Sequence, residues 1–197
     1  MHGLHMGFYS ALIHADFVLA VGGLVVIPLA LLLVSLRRPA VRDRLLVYWR
    51  ASAILGITVY LWAGHDPMGF ATGWTARALI PLALWRGDAL MVLRGRTFPH
   101  GSYWQARLYR FWWQGAVAYN LIGLLYMIPL LGCVLYDGSG FCTAWYEPPR
   151  VFTDTIHPSI EPIWLARYGW VALGVYAAYL LSTAVRLRRD LVRRTQS

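Results

Sequence analysis

CVLYDGSGFCTAWYEPPRVFTDTIH, residues 133–157, is the stretch that decides how this chain is organised. It is a long polar, proline-marked segment in a sequence otherwise built of apolar runs. It holds both cysteines and three of the nine carboxylates. Several apolar runs precede it, and one more run and a basic tail follow it. We therefore expect this segment to lie outside a lipid bilayer and the flanking runs to cross that bilayer.

The composition is that of an integral membrane protein. Hydrophobic residues make up 58% of the chain and charged residues 14%, whereas soluble domains carry about 25% charged residues. Apolar runs of about 20 residues recur, which is the length that crosses a hydrocarbon core about 30 Å thick. The N-terminal segment lacks the basic region and small-residue cleavage site of a signal peptide, so we expect the first run to remain as a helix.

Five apolar runs predict an all-α integral membrane protein, a bundle of five transmembrane helices in a single membrane domain, 1–197. An outer loop at 137–164 separates the last two spans, and a basic cytoplasmic tail follows at 186–197. The third run carries three charges, but a surface position for it would put the arginines that follow on the wrong side of the membrane. The spans are expected at about residues 16–36, 45–63, 72–93, 111–136 and 165–185.

The distribution of charge predicts the orientation. The net charge of +9 comes from arginine alone, because the chain has no lysine. The arginines cluster beside the ends of alternate runs, which indicates cytoplasmic loops and contacts with anionic lipid headgroups. We expect the N-terminus outside and the C-terminus in the cytoplasm, and no nucleic acid partner because base-reading motifs are absent. The outer segments hold five carboxylates: Asp66, Asp137, Glu147, Asp154 and Glu161.

Three blocks of sequence carry a family resemblance: RLLVYWRASAILGITVYLW at 44–62, ARALIPLALW at 76–85 and FCTAWYEPPRVF at 141–152. Together they resemble a family of short, polytopic membrane proteins of cyanobacteria that is described only as a domain of unknown function. The resemblance covers most of the chain, and the FC-xx-W-x-EPP block is its most specific part. It implies a setting, the thylakoid or cytoplasmic membrane of a photosynthetic bacterium, and it carries over no catalytic residues.

Cys133 and Cys142 are both expected on the oxidising outer side, with a short turn between them. A structural disulfide there would stabilise the fold by about 2–3 kcal/mol. Two unpaired thiols are one alternative, and a redox pair in a membrane thiol oxidoreductase is another. Such enzymes normally use a Cys-x-x-Cys motif, which this chain does not contain. We therefore favour the structural disulfide.

Arg77, Arg86 and Asp88 are charges inside a predicted span. At 100° per residue, Arg77 and Asp88 share nearly the same helix face but lie about 16 Å apart along the axis, so they cannot pair with each other. Arg77 would lie near the outer end, where Asp16, Asp66 or a lipid phosphate could neutralise it. A small transporter or channel would place such charges along a water-filled path, whereas the structural interpretation is snorkelling or pairing with neighbouring helices.

Three histidines, His14, His65 and His157, map to the outer side at helix edges or in loops. They are candidate ligands of a haem, a chlorophyll or a metal. Haem in a membrane bundle usually needs two histidines deep within facing helices, and none of these three lies there. We therefore expect solvated or hydrogen-bonded histidines, no bound cofactor and no metal site.

An aromatic, proline-rich ledge follows the second cysteine. Its Pro-Pro pair predicts a stiff, extended segment. The ledge either caps the outer ends of the helices or presents exposed aromatic side chains as a docking surface, and both interpretations stay open. Its members are Trp145, Tyr146, Glu147, Pro148, Pro149 and Phe152.

No catalytic motif is recognisable, so we do not expect an enzyme. We expect a non-catalytic assembly or accessory factor of a photosynthetic membrane complex. It would act by lateral helix packing and by docking through the outer loop, with other membrane proteins and anionic lipids as partners. A small transporter or channel and a membrane thiol oxidoreductase are the two alternatives.

Overall fold

A computed structural model describes residues 2–93, 103–136 and 140–195. Within these ranges every regular element is a helix and there is no β-strand, which confirms the all-α prediction for this part of the chain. The elements, in chain order, are α1 (His2–Val21), a π-helical turn (Gly22–Val26), α2 (Ile27–Val34), α3 (Pro39–Ala63), α4 (Met68–Leu93), α5 (Trp104–Tyr126), a 3₁₀ turn (Pro129–Val134), α6 (Gly140–Thr143), a second 3₁₀ turn (Ala144–Tyr146), α7 (Glu147–Ile156) and α8 (Pro162–Thr195).

Helix α3 lies at the centre of the bundle and packs along both α4 and α8. Helix α4 also packs against α5, and α5 packs against α2. By length and composition, three helical segments in the described part of the chain can cross a membrane: Gly7–Val34, Pro39–Ala63 and Pro162–Val185. Helices α4 and α5 are also more than 20 residues long, but neither contains a stretch as apolar as those in the three segments.

Several helix boundaries differ from the predicted spans. The first span differs most at a single end, and the fourth differs most along its whole length. The first helix begins at His2, well before the predicted start at residue 16. The fourth predicted span, 111–136, is instead a helix from Trp104 to Tyr126. Pro129 causes the early end, because it has no N–H to donate to a carbonyl one turn back. The chain continues from there as the first 3₁₀ turn.

Residues 140–156, which we call the cap, are helical and pack over one end of the bundle. The cap comprises α6, the second 3₁₀ turn and α7, and it contacts α1 and α3. The predicted extended Pro-Pro segment is wrong, because Pro148 and Pro149 lie in the first turn of α7. Proline is tolerated there because the first N–H groups of a helix have no partner within the helix.

Two buried apolar clusters hold the ends of the bundle. The cluster at the cap end joins α1, α3 and α4 to the segment that bears the cysteines, and its buried members are Ile13, Trp62, Phe70, Met127, Leu130, Cys133, Cys142, Trp145 and Tyr146. The cluster at the opposite end joins the π-helical turn to α2, α3, α4 and α5, and its buried members are Leu24, Leu31, Val41, Leu45, Tyr48, Ile80, Leu84, Ala106, Tyr109, Trp112 and Ala116. The cap is therefore part of the packed core.

Pro28 interrupts the first helix, and two neighbouring helices compensate for the interruption. Because proline has no N–H, carbonyls about one turn earlier lack their usual donor, and the chain forms a π-helical turn just before it. The Tyr48 hydroxyl of α3 donates to the carbonyl of Leu24. The Trp112 indole N–H of α5 donates to the carbonyl of Gly23 at 2.7 Å. The irregular turn thus ties the first helix to α3 and α5.

Replacing Tyr48 with phenylalanine should lower the free energy of unfolding by about 1–3 kcal/mol, because a buried carbonyl loses its donor. In a Pro28→Ala background the new backbone N–H can donate to the Leu24 carbonyl, so Tyr48→Phe should then cost markedly less. Denaturant unfolding of the four proteins in detergent micelles measures this coupling. Equal costs in the two backgrounds would contradict the role of Tyr48.

Candidate functional site

A buried ion pair joins α4 to α1 near the cap. Arg77 is only 6% exposed. Its Nη2 donates to both carboxylate oxygens of Asp16, at 3.0 Å to Oδ1 and 2.7 Å to Oδ2. A charge-assisted contact to both oxygens is among the stronger hydrogen-bonding arrangements in proteins. The pair therefore fixes the position of α1 against α4.

Side chains from α5 and the turn after it complete the surroundings of this pair. The Tyr119 hydroxyl donates to Asp16 Oδ1 at 2.6 Å, and the Tyr126 hydroxyl oxygen accepts from Arg77 Nη2 at 2.9 Å. The sulfur of Met127 accepts from Arg77 Nε at 3.0 Å. The guanidinium carbon lies 4.9 Å and 5.2 Å from the centres of the two tyrosine rings, within the range of cation–π attraction.

Gly123 makes room for the guanidinium group. A Cβ atom at this position would overlap Arg77 Nη1, and its distances to Cζ and Cδ would be 2.6 Å and 2.8 Å. Arg77 Nη1 is buried and has no hydrogen-bond partner among the described residues. The lack of a side chain at Gly123 is therefore a steric requirement of the ion pair.

A second ion pair lies toward the opposite end of α4. Arg44 of α3 is 3% exposed, and its Nε donates to Asp88 Oδ1 at 2.7 Å. The Tyr109 hydroxyl of α5 donates to the same oxygen at 3.3 Å. Arg86 is exposed on the surface of α4. Asp88 and Arg77 thus belong to two separate pairs, each with a different partner helix.

Cys133 and Cys142 form a disulfide, with their Cα atoms 5.7 Å apart. Each cysteine is 3% exposed. The bond joins the first 3₁₀ turn to α6, so it fixes the beginning of the cap to the segment that follows α5. Its burial and position are those of a structural crosslink.

The aromatic ledge contacts the helix ends beneath it. Trp145, Tyr146, Pro148 and Pro149 are buried, whereas Glu147 and Phe152 are exposed. The indole N–H of Trp145 donates to the Tyr9 hydroxyl of α1 at 2.8 Å, and its ring stacks near Tyr126 with centroids 6.1 Å apart. These contacts favour the capping interpretation for the four buried members, which offer no exposed aromatic surface.

The three candidate histidines make separate local contacts. His14 Nδ1 lies 2.9 Å from the carbonyl oxygen of Ser10, and His157 Nε2 lies 2.8 Å from the Tyr60 hydroxyl. His65 stacks on a tyrosine ring of the cap with centroids 5.1 Å apart. Within the described residues, no group of three or more His, Cys, Asp and Glu side chains is arranged to hold a metal ion. His100 and the side chains of His2 and His5 lie outside the described part of the chain.

A cavity of about 220 Å³ lies between α1 and α3, with α4 behind it and the cap above it. Its walls are largely apolar, and they include the aromatic side chains of Phe17, Trp62, Trp145 and Phe152. The Asp16–Arg77 pair forms part of the wall. A partly open apolar space therefore meets buried charge here.

Sequence reasoning named Asp16 as one of three partners for Arg77, but it missed the tyrosines. Tyr119, Gly123 and Tyr126 are spaced i, i+4 and i+7, so they share one face of α5. That spacing could have predicted a face of α5 with two hydroxyl groups and, at the glycine between them, space for a side chain from another helix. The Arg44–Asp88 contact had no comparable signal, because its residues are 44 positions apart.

These features define a helical protein whose apolar segments suit a membrane and whose buried charges are paired between helices. The chain belongs to the family described as "Protein of unknown function (DUF3177)", whose model matches residues 10–192. Neither the curated proteins nor the solved structures contain a match to it.

Proposed function

We propose that five helices cross the membrane, with the N-terminus outside and the C-terminus in the cytoplasm. Helix α4 has 26 residues and α5 has 23, so at 1.5 Å per residue both exceed a hydrocarbon core about 30 Å thick. The pairing of Arg77 and Asp88 with charges on other helices supports the crossing of α4, because paired charges cost less to bury than isolated ones. The arginine distribution supports the orientation.

A reporter that is active only in the cytoplasm, fused after Ser197, tests this topology. We expect activity there, and no activity when the same reporter follows Pro67 in the turn between α3 and α4. The same reporter placed after Leu93, at the end of α4, separates five spans from three, because only a crossing of α4 puts Leu93 in the cytoplasm. The reverse pattern at Pro67 and Ser197, or no activity after Leu93, would contradict the five-span arrangement.

We propose that the protein is a non-catalytic assembly or accessory factor of a membrane complex, and of a photosynthetic one in a thylakoid or cytoplasmic membrane. The observation that carries the proposal is that the reactive groups are engaged internally: Arg77 and Asp88 lie in ion pairs and the two cysteines in a disulfide. The described part of the chain can therefore contact other molecules through its exposed surface. The photosynthetic setting rests on the three-block family resemblance alone.

The surface best suited to docking is the outward side of α7. We define the α7 face by Glu147, Val151 and Asp154, which are spaced i, i+4 and i+7 on one side of the helix and are all exposed. An apolar side chain between two carboxylates, on a short helix anchored by buried prolines, forms a rigid patch with both apolar and polar character. Such patches suit protein–protein contact because little ordering entropy is lost on binding.

The two alternative functions have less support. A transporter or channel would need Arg77, Arg86 and Asp88 along one path, but the first and last lie in separate ion pairs and Arg86 is on the surface of α4. A thiol oxidoreductase would need an accessible disulfide, and both cysteines are buried.

Affinity purification of a tagged copy from native membranes in mild detergent tests the accessory role. We expect the wild-type protein to bring down a larger complex, and we expect Glu147→Gln combined with Val151→Gln to lose it with little change in thermal stability. Ile163→Gln is the matched control, because Ile163 is equally exposed but lies at the start of α8. A protein that purifies alone would contradict the proposal, and chlorophyll in the eluate would support the photosynthetic setting.

A further inference from the structure

We propose that the cavity between α1 and α3 binds a neutral, hydroxyl-bearing lipid that enters sideways from the bilayer. The occupant places a hydrocarbon chain or flat ring against the apolar walls and its hydroxyl group against the Asp16–Arg77 pair. The inference requires that α1 and α3 cross the membrane, and both lie in segments long and apolar enough to do so. It does not depend on the accessory role.

The position of the cavity determines its entrance. Trp145, Pro148 and Pro149 of the cap close the end nearest the aqueous phase, and all three are buried. Val25, in the π-helical turn that follows α1, and Gly56 of α3 both line the cavity. Both residues are also exposed at the surface of the bundle. A molecule dissolved in the bilayer can therefore reach the cavity between α1 and α3, whereas a molecule in water meets the cap.

The walls select an apolar body. The cavity volume of about 220 Å³ exceeds the roughly 150 Å³ of an engineered apolar cavity that binds benzene. It is smaller than the pockets of about 300–1,000 Å³ that enclose whole drug-sized ligands. It therefore holds one chain or ring of a lipid, with the rest of the molecule remaining in the bilayer. The aromatic walls favour a chain or a flat ring, which can pack against their faces.

The polar part of the wall selects the head group. The other hydroxyl groups on the lining are engaged elsewhere, Thr58 with Thr72 and Tyr60 with His157. The ion pair offers a carboxylate that accepts hydrogen bonds and a guanidinium that donates them. A hydroxyl group both donates and accepts, so it matches both members of the pair.

The same ion pair excludes a charged head group. Arg77 and Asp16 neutralise each other, so the site has no net charge to compensate a carboxylate or a phosphate. A charge without compensation is costly to bury in a membrane. A fatty alcohol should therefore bind, while the fatty acid of the same chain length should not bind at a pH that keeps it ionised.

Photo-crosslinking in nanodiscs tests the proposal. The probe is a long-chain fatty alcohol that carries a diazirine in its chain, and the comparators are the matching fatty acid and methyl ether. We expect crosslinks of the alcohol to concentrate on Phe17, Val21 and Val59. At a pH that keeps the acid ionised, we expect labelling of these residues by the acid to be lower by about tenfold or more, the factor that 1.4 kcal/mol represents. The ether cannot donate a hydrogen bond and should label them less than the alcohol.

Two variants block the cavity from opposite walls. Gly56→Leu fills it from α3 and Ala20→Leu fills it from α1, and each should reduce labelling by about tenfold, the factor that 1.4 kcal/mol represents. Gly174→Leu on α8 is the matched control, since a Cβ at Gly56 or at Gly174 meets no atom within 4 Å. Thermal unfolding identifies any variant that fails to fold. Labelling spread evenly over the bundle surface, unchanged by both blocking variants, or equal for acid and alcohol would overturn the proposal.

Discussion

Replacing Asp16 with asparagine should destabilise the protein by about 3–5 kcal/mol, the range for removing one partner of a buried ion pair. The reason is that the positive charge of Arg77 stays buried without its carboxylate partner. Arg77 is 6% exposed, its guanidinium group lies within the bundle, and its remaining contacts are to neutral groups. Denaturant unfolding in detergent micelles measures the loss as a change in the free energy of unfolding.

Two controls separate the loss of charge compensation from other effects. The double variant Asp16→Asn with Arg77→Met removes both charges, and it should recover most of the lost stability because neutral replacement of a buried pair is often tolerated. Asp154→Asn removes the carboxylate of an exposed pair with Arg150, whose atoms are 3.8 Å apart, and it should cost less than about 1 kcal/mol. If Asp16→Asn cost no more than Asp154→Asn, the ion pair would not be a structural requirement.

Replacing Gly64 with alanine should cost about 2–3 kcal/mol, at the upper end of the usual range for overpacking. A Cβ at this position would lie 2.5 Å from the Cβ and from the backbone nitrogen of Ala166, and 2.7 Å from the carbonyl oxygen of Pro162. These atoms belong to the first turns of α8 and include backbone, so the helix itself would have to move. The expected result is a lower unfolding temperature and weaker packing of α8 on α3.

The backbone conformation at Gly64 is open to any residue, with φ −84° and ψ 8°, so the cost of alanine would be steric. The left-handed conformation in this turn falls on the next residue, His65, with φ 58°. Gly56→Ala, within the helix that Gly64 follows, is the control. Its Cβ meets nothing within 4 Å, and alanine in a helix interior is favoured over glycine by about 0.5–1 kcal/mol. Equal effects of the two substitutions would contradict the close approach of α8.

Local properties of the chain were enough to predict much of the fold. The helical class and the approximate places of the long helices follow from the length and composition of the apolar runs. The separation of Arg77 from Asp88 follows from helix geometry alone. Local reasoning failed at the cap, where Pro148 and Pro149 begin a helix. Stiff proline pairs suit both an extended segment and a first helical turn, and only the burial of α7 against the bundle selects between them.

The sequence by itself therefore determined which segments are apolar helices and which faces carry charge, because these depend on residues within a few turns of one another. The tertiary structure decided which charges meet. Asp16 is 61 residues from Arg77, and Tyr119 is 42 residues from it. The position of Arg77 in its own helix is equally compatible with neutralisation by Asp66 or by a lipid phosphate. The choice of Asp16, and the cavity beside it, depends on how α1, α3, α4 and α5 pack, which no single segment encodes.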